Sequence, residues 1–112
     1  VTLLPFVAVR TDRRRKVEYE RDVEKYLKER IEAKGGLCWK FTSPGMQGVP
    51  DRWCTLYGIQ FFVELKRDSG RLSKVQKYQI QQLQHQNVPV FVIWNKEMVD
   101  RMMCALRFRR EV

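Results

Sequence analysis

Residues 88–94, Val-Pro-Val-Phe-Val-Ile-Trp, are apolar at every position, and no other part of the chain constrains the fold as strongly. The run is far shorter than the ~20 residues a bilayer span requires. It has the length of a strand but no polar alternation. A strand without a polar side is buried on both faces, so the sheet that holds it needs helices above and below.

The rest of the chain supplies those layers. Residues 17–34 are predicted as a helix, with Tyr19, Val23, Tyr26, Leu27 and Ile31 as its apolar stripe and Gly35-Gly36 as its stop. Residues 37–42 read as a strand and 43–50 as a loop rich in breakers. Residues 51–56 and 59–66 read as strands joined at Tyr57-Gly58. Ser73 and Gln76 have capping-box spacing and open a helix to about Gln86. Asn95 caps a last helix to about Leu106, and the order is α-β-β-β-α-β-α. The expected class is α/β, with a mixed central sheet flanked by helices. At 112 residues there is room for one domain, placed at residues 17–112 behind a basic arm of residues 1–16. The arm's run Arg10-Thr-Asp-Arg-Arg-Arg-Lys16 either clamps phosphate or is simply solvated.

Charge narrows the partner. Lys plus Arg is 22 against 13 for Asp plus Glu, a net +9 that favours nucleic acid first and an anionic membrane second. No run is long enough to span a membrane. The apolar start lacks a basic segment before it and is broken by Pro5, so it does not read as a signal peptide. Cys38, Cys54 and Cys104 are odd in number and form no CxxC, which points to a reducing cytosol. His85 is alone and reads as a surface or capping residue.

The chemistry lies in Gly48-Val49-Pro50-Asp51 and Glu64-Leu65-Lys66. If Tyr57-Gly58 is a tight two-residue turn, Leu56 faces Ile59 and Asp51 sits opposite Glu64. Opposed side chains have Cβ atoms about 4.5–5.5 Å apart. Facing carboxylates repel unless a cation lies between them, and Lys66 projects from the same strand face as Glu64. Ile59, Phe61, Val63 and Leu65 form the apolar face of this strand.

On the first helix, 100° steps put Glu20 between Leu27 and Ile31, inside the apolar arc, where an unpaired carboxylate is costly. Glu24, at the edge of the arc, is the alternative. Gln76 is either a capping partner for Ser73 or a group that orients water or phosphate. Trp39, Trp53 and Trp94 lie in strands and read as core, though Trp53 shares a strand side with Asp51 and is placed to line a groove. Ser43 has no His to activate it as a nucleophile.

The run Lys40-Phe-Thr-Ser-Pro-Gly-Met-Gln-Gly-Val-Pro-Asp51, then Phe62-Val-Glu-Leu-Lys66 and Gly70-Arg-Leu-Ser-Lys-Val-Gln76, resembles the virus-type replication-repair nuclease domain (VRR-Nuc) of the PD-(D/E)XK superfamily. The likeness covers about Glu18 to Met103. It implies a restriction-endonuclease-like core that hydrolyses DNA with Mg²⁺ or Mn²⁺. Asp51 and Glu64 would then be metal-binding acids, with the Leu65 carbonyl as a further ligand and Glu20, or else Glu24, as the helical acid. Lys66 would position water or stabilise charge at phosphorus, with an alternative role as base. Gln76 would match the glutamine after the core. Lys40, Ser43, Arg52, Arg67, Arg71 and Lys74 flank these motifs and are the candidate DNA contacts. Standalone relatives of viral type further imply a homodimer that cuts branched DNA such as a four-way junction, in the cytoplasm of a bacterial or phage-infected host. Two other readings compete: a flap or nicking nuclease, and a non-catalytic DNA-binding module in a repair assembly.

Overall fold

The computed structural model describes residues 6–7 and 19–111, with side chains described for 19–109. In chain order the elements are β1 (Phe6–Val7), α1 (Glu20–Ala33), β2 (Leu37–Lys40), β3 (Arg52–Leu56), β4 (Ile59–Leu65), α2 (Lys74–His85), β5 (Val90–Ile93) and α3 (Lys96–Glu111). The strands form one mixed sheet in the order β1-β5-β4-β3-β2. β2, β3 and β4 are antiparallel neighbours, while β4–β5 and β1–β5 are parallel. The parallel β4–β5 pair needs a crossover, and α2 is that crossover.

All of β5 is buried, and it divides its side chains between two cores. Phe91 and Ile93 pack with Phe61, Val63 and Leu65 of β4 against Leu27 and Ile31 of α1 and Met102 and Leu106 of α3. Val90 and Val92 turn the other way onto Ile80 of α2, with Phe62, Leu72 and Leu83 around them. Helices therefore cover both faces, as the apolar run of residues 88–94 demands. Each fully buried Phe or Leu contributes about 1.5–3 kcal/mol of transfer free energy.

The β3–β4 hairpin has the expected register. Tyr57 and Gly58 both take positive φ, +55° and +76°. A type I′ turn needs that combination, and it matches the twist of the strands. Leu56 pairs with Ile59 and Arg52 with Val63. One step further, the same register sets Asp51 against Glu64.

Three expectations change. Phe6–Val7, read as part of an arm, pairs with Phe91 and Val92 as an edge strand; the basic run of residues 10–16 lies outside the described residues. α3 continues to Glu111 instead of ending near Leu106. No breaker follows Leu106, and arginine is a good helix former that suits a helix C-terminus. Trp39, expected in the core, is 58% exposed. β2 is an edge strand, and α2 packs over β4 and β5 instead. Among the described residues no helix is long and apolar enough to cross a membrane.

Candidate active site

The loop before Asp51 is held from two sides. Gln79 of α2 donates from Nε2 to the Gln47 carbonyl at 3.3 Å. Gly48 sits at φ +81°, and a Cβ there would meet Val75 Cγ1 at 2.6 Å and its backbone carbon at 2.9 Å. Only glycine accepts both that conformation and that approach. The Phe41 N–H then donates to the Asp51 carbonyl at 2.8 Å, continuing the β2–β3 ladder past its last paired residues. Asp51 is thereby presented at the end of β3. Its Oδ2 accepts the Leu65 N–H at 2.8 Å. In a strand the N–H and C=O of one residue leave by the same edge, so the Leu65 carbonyl also faces the Asp51 side.

Glu64 is only 3% exposed. Its Oε2 receives Lys66 Nζ at 3.4 Å and Gln76 Nε2 at 3.0 Å. Gln76 is fixed from behind by the capping box. Its backbone N–H donates to Ser73 Oγ at 3.1 Å, and its Oε1 accepts the Ser73 N–H at 2.9 Å. With Oε1 committed to a donor, the amide can only turn its NH₂ toward Glu64. The two sequence readings of Gln76, cap and site, are one arrangement.

These groups line one cleft of ≈ 430 Å³, which also contains Glu20, Leu65, Arg67, Gly70 and Arg71. The loop that carries Arg67 and Gly70 is pinned by Trp94, whose indole N–H donates to the Gly70 carbonyl at 2.8 Å. Trp94 gave no local signal of this task, because its partner lies across a helix in sequence. Lys40 and Lys74 are exposed and Ser43 is half-buried, but none of the three lines the cleft.

Arg52 departs from expectation. It is 7% exposed, donates from Nε to Glu24 Oε2 at 3.2 Å and from Nη1 to the Cys38 carbonyl at 3.3 Å. Strand alternation points it away from Asp51, into the α1 side of the sheet. It is a buried structural cation and not a DNA contact. This also separates the two helical acids, since Glu24 is taken up by Arg52 while Glu20 reaches the cleft. Glu20 keeps the angular position expected of it, in line with Leu27 and Ile31, but it is exposed, because it stands in the first turn of α1 ahead of the buried residues Val23, Leu27 and Ile31.

Burial raises the proton affinity of both central acids. Glu64 moves from an ordinary 4.5 to about 7, first by desolvation and then by the Asp51 charge, against the lowering effect of Lys66. Asp51 is raised mainly by burial, partly offset by the Leu65 N–H. The consequence for stability has a definite sign. Below about pH 4.5 Glu64 is protonated in folded and unfolded chains alike. Between 4.5 and about 7 the unfolded chain ionises first, the folded chain binds the extra proton, and stability falls as pH rises. In a chelator the melting temperature is therefore expected to be lower at pH 8 than at pH 5, with Glu64 contributing of order 3 kcal/mol. Glu64→Gln should remove most of that pH dependence. A difference that persists in the variant would assign it elsewhere.

Among the described residues no three His, Cys, Asp or Glu side chains converge closely enough to cage an ion unaided. Two facing carboxylates and a carbonyl suit a different ligand, a small hard cation that keeps several of its waters. The donor set is all oxygen, as Mg²⁺ or Mn²⁺ prefers.

No family model matches the chain. A solved structure described as a VRR_NUC domain superposes with a TM-score of 0.72 at 35% identity, covering 75% of this chain and 92% of that one. The protein named "Putative nuclease p44" of Acyrthosiphon pisum secondary endosymbiont phage 1 is 46% identical over 48 residues, 42% of this chain. That match spans about half the length of the phage protein, 52%.

Proposed function

This chain belongs to the VRR-Nuc family of nucleases, and from that premise we propose that it is a metal-dependent endodeoxyribonuclease selective for branched DNA. The observation that carries the reading is the cleft itself. It sets two facing carboxylates, Glu64 buried and Asp51 half-buried, beside one lysine and borders them with two exposed arginines, Arg67 and Arg71.

Asp51, Glu64 and the Leu65 carbonyl would hold Mg²⁺ or Mn²⁺, with Glu20 at the rim. Such an ion, when bound, supplies a water of lowered pKa and a Lewis acid for a phosphate oxygen. Lys66 places a compact positive charge where charge builds up at phosphorus. Gln76 keeps Glu64 in one orientation. Arg67 and Arg71 receive the flanking phosphates, with Lys40, Ser43 and Lys74 further out along the backbone. A small domain offers little surface for reading base sequence, which favours recognition of DNA shape. A symmetric homodimer would bring two such clefts to one branch point for paired cuts. Its setting would be the cytoplasm of a bacterial or phage-infected cell.

The test is a cleavage assay on a labelled four-way junction, a flap and a linear duplex in Mg²⁺, Mn²⁺ or EDTA. Sedimentation of the free protein accompanies it. Metal-dependent cutting of the junction by a dimer is expected. Preferred cutting of the flap by a monomer would keep the chemistry and remove the resolvase reading. Tight, salt-sensitive binding without any cutting would leave a DNA-binding module.

A further inference from the structure

The sheet carries an aromatic surface that the cleft chemistry does not use. Trp39 on β2 and Trp53 on β3 are paired across the strands, with ring centroids 5.2 Å apart and planes tilted by 45°. Trp53 is half-buried, and Trp39 lies on the outer edge, 58% exposed. Alternation along β3 puts Trp53 on the face that holds Asp51, two residues and about 7 Å away along the strand. Phe62, opposite Trp53 on β4, extends the row and meets Phe41 edge-on at 5.0 Å. The row therefore runs from an open indole to the border of the cleft.

We propose that Trp39, backed by Trp53, is a stacking platform for an unpaired base of the substrate strand, next to the cleft where that strand is cut. The proposal rests on the nuclease reading above. An exposed indole leaves a large apolar face in water, and a nucleobase covers such a face whatever its identity. Charge favours this occupant: the net +9 of the chain attracts a polyanion, and a strand that enters the cleft past Arg67 and Arg71 continues onto this same face of the sheet. The platform would favour substrates with a single-stranded segment at the cut site, as a branch or flap provides.

The experiment measures anisotropy of a labelled short oligothymidylate and of a blunt duplex in EDTA, for wild type, Trp39→Ala and Trp39→Phe. The oligothymidylate should bind Trp39→Ala roughly 5- to 100-fold more weakly, with Trp39→Phe between the two. Duplex binding should be unchanged, and equal melting temperatures would show that the variants fold. Equal weakening on both ligands, or on neither, would overturn the platform. So would unchanged oligothymidylate affinity with a dimer that falls to monomer in sedimentation, which would give this face to a second copy. If wild type cuts nothing but its single-strand affinity still depends on Trp39, the platform stands and the nuclease reading falls.

Discussion

Lys66→Met is expected to bind junction DNA about as tightly as wild type and to cut it about 10²–10³-fold more slowly. Methionine keeps the length and much of the bulk of the stem, so the half-buried position stays filled. What is lost is the ammonium 3.4 Å from Glu64. Two effects follow. The charge that would face the phosphorus is gone, and Glu64 loses the neighbour that restrains its proton affinity, so its carboxyl holds a proton to still higher pH. The pH–rate profile of the residual activity should accordingly move upward. Lys66→Arg should rescue only in part, because a planar fork does not reproduce a point charge. Asp51→Asn makes the complementary case. Its amide oxygen can still accept the Leu65 N–H that Asp51 accepts at 2.8 Å. The fold should survive and DNA binding should tighten as a negative charge leaves, while cutting falls at least as far. Single-turnover cleavage and filter binding on the same junction measure both quantities. Full activity in Lys66→Met would remove the lysine from the chemistry.

The second large effect separates two glutamates one turn apart. Glu24→Ala should lower stability by about 2–4 kcal/mol, because it leaves the Arg52 guanidinium buried without its counter-charge. The estimate sits somewhat below that for a fully buried pair, since the Glu24 side chain is 30% exposed. Cutting per folded molecule should barely change. Glu20→Ala should do the reverse, with an unaltered melting temperature and slower cutting, because Glu20 is exposed and lines the cleft. Arg52→Met together with Glu24→Leu should recover much of the lost stability, as apolar replacement of a buried pair often does. Urea denaturation and single-turnover rates on the same preparations decide the matter. A loss of cutting confined to Glu24→Ala would exchange the two roles.

That assignment marks a limit of what local pattern conveys. Glu20 and Glu24 lie close on one helix face, and helical spacing ranks them by angle alone. The choice between them depends on which strand residue comes up beneath α1. Arg52 does so because β3 turns it to the side opposite Asp51. Trp39 shows the same limit. Its strand is legible, but its exposure follows from β2 lying at the sheet edge, beyond the reach of α2. Phe6–Val7 is too short for any period to appear, and only the open edge of β5 makes it a strand.

The sequence by itself determined the order of the elements from α1 to α3, the two-sided burial of β5 and the meeting of Asp51 with Glu64. Each of these follows from a period or a turn confined to a few residues: the unbroken apolar run, the pair Tyr57-Gly58, and the two-residue repeat that puts Glu64 and Lys66 on one face. The spacing of Ser73 and Gln76 likewise set the start of α2. Only the tertiary structure decided that the Gln76 amide joins that cap to Glu64 and that Arg52 is an internal ion. It also decided that Glu20 is the glutamate at the cleft and that an indole stands open beside it. Those outcomes depend on which surfaces come together across the sheet, and contacts between residues far apart in the chain leave no mark in local sequence.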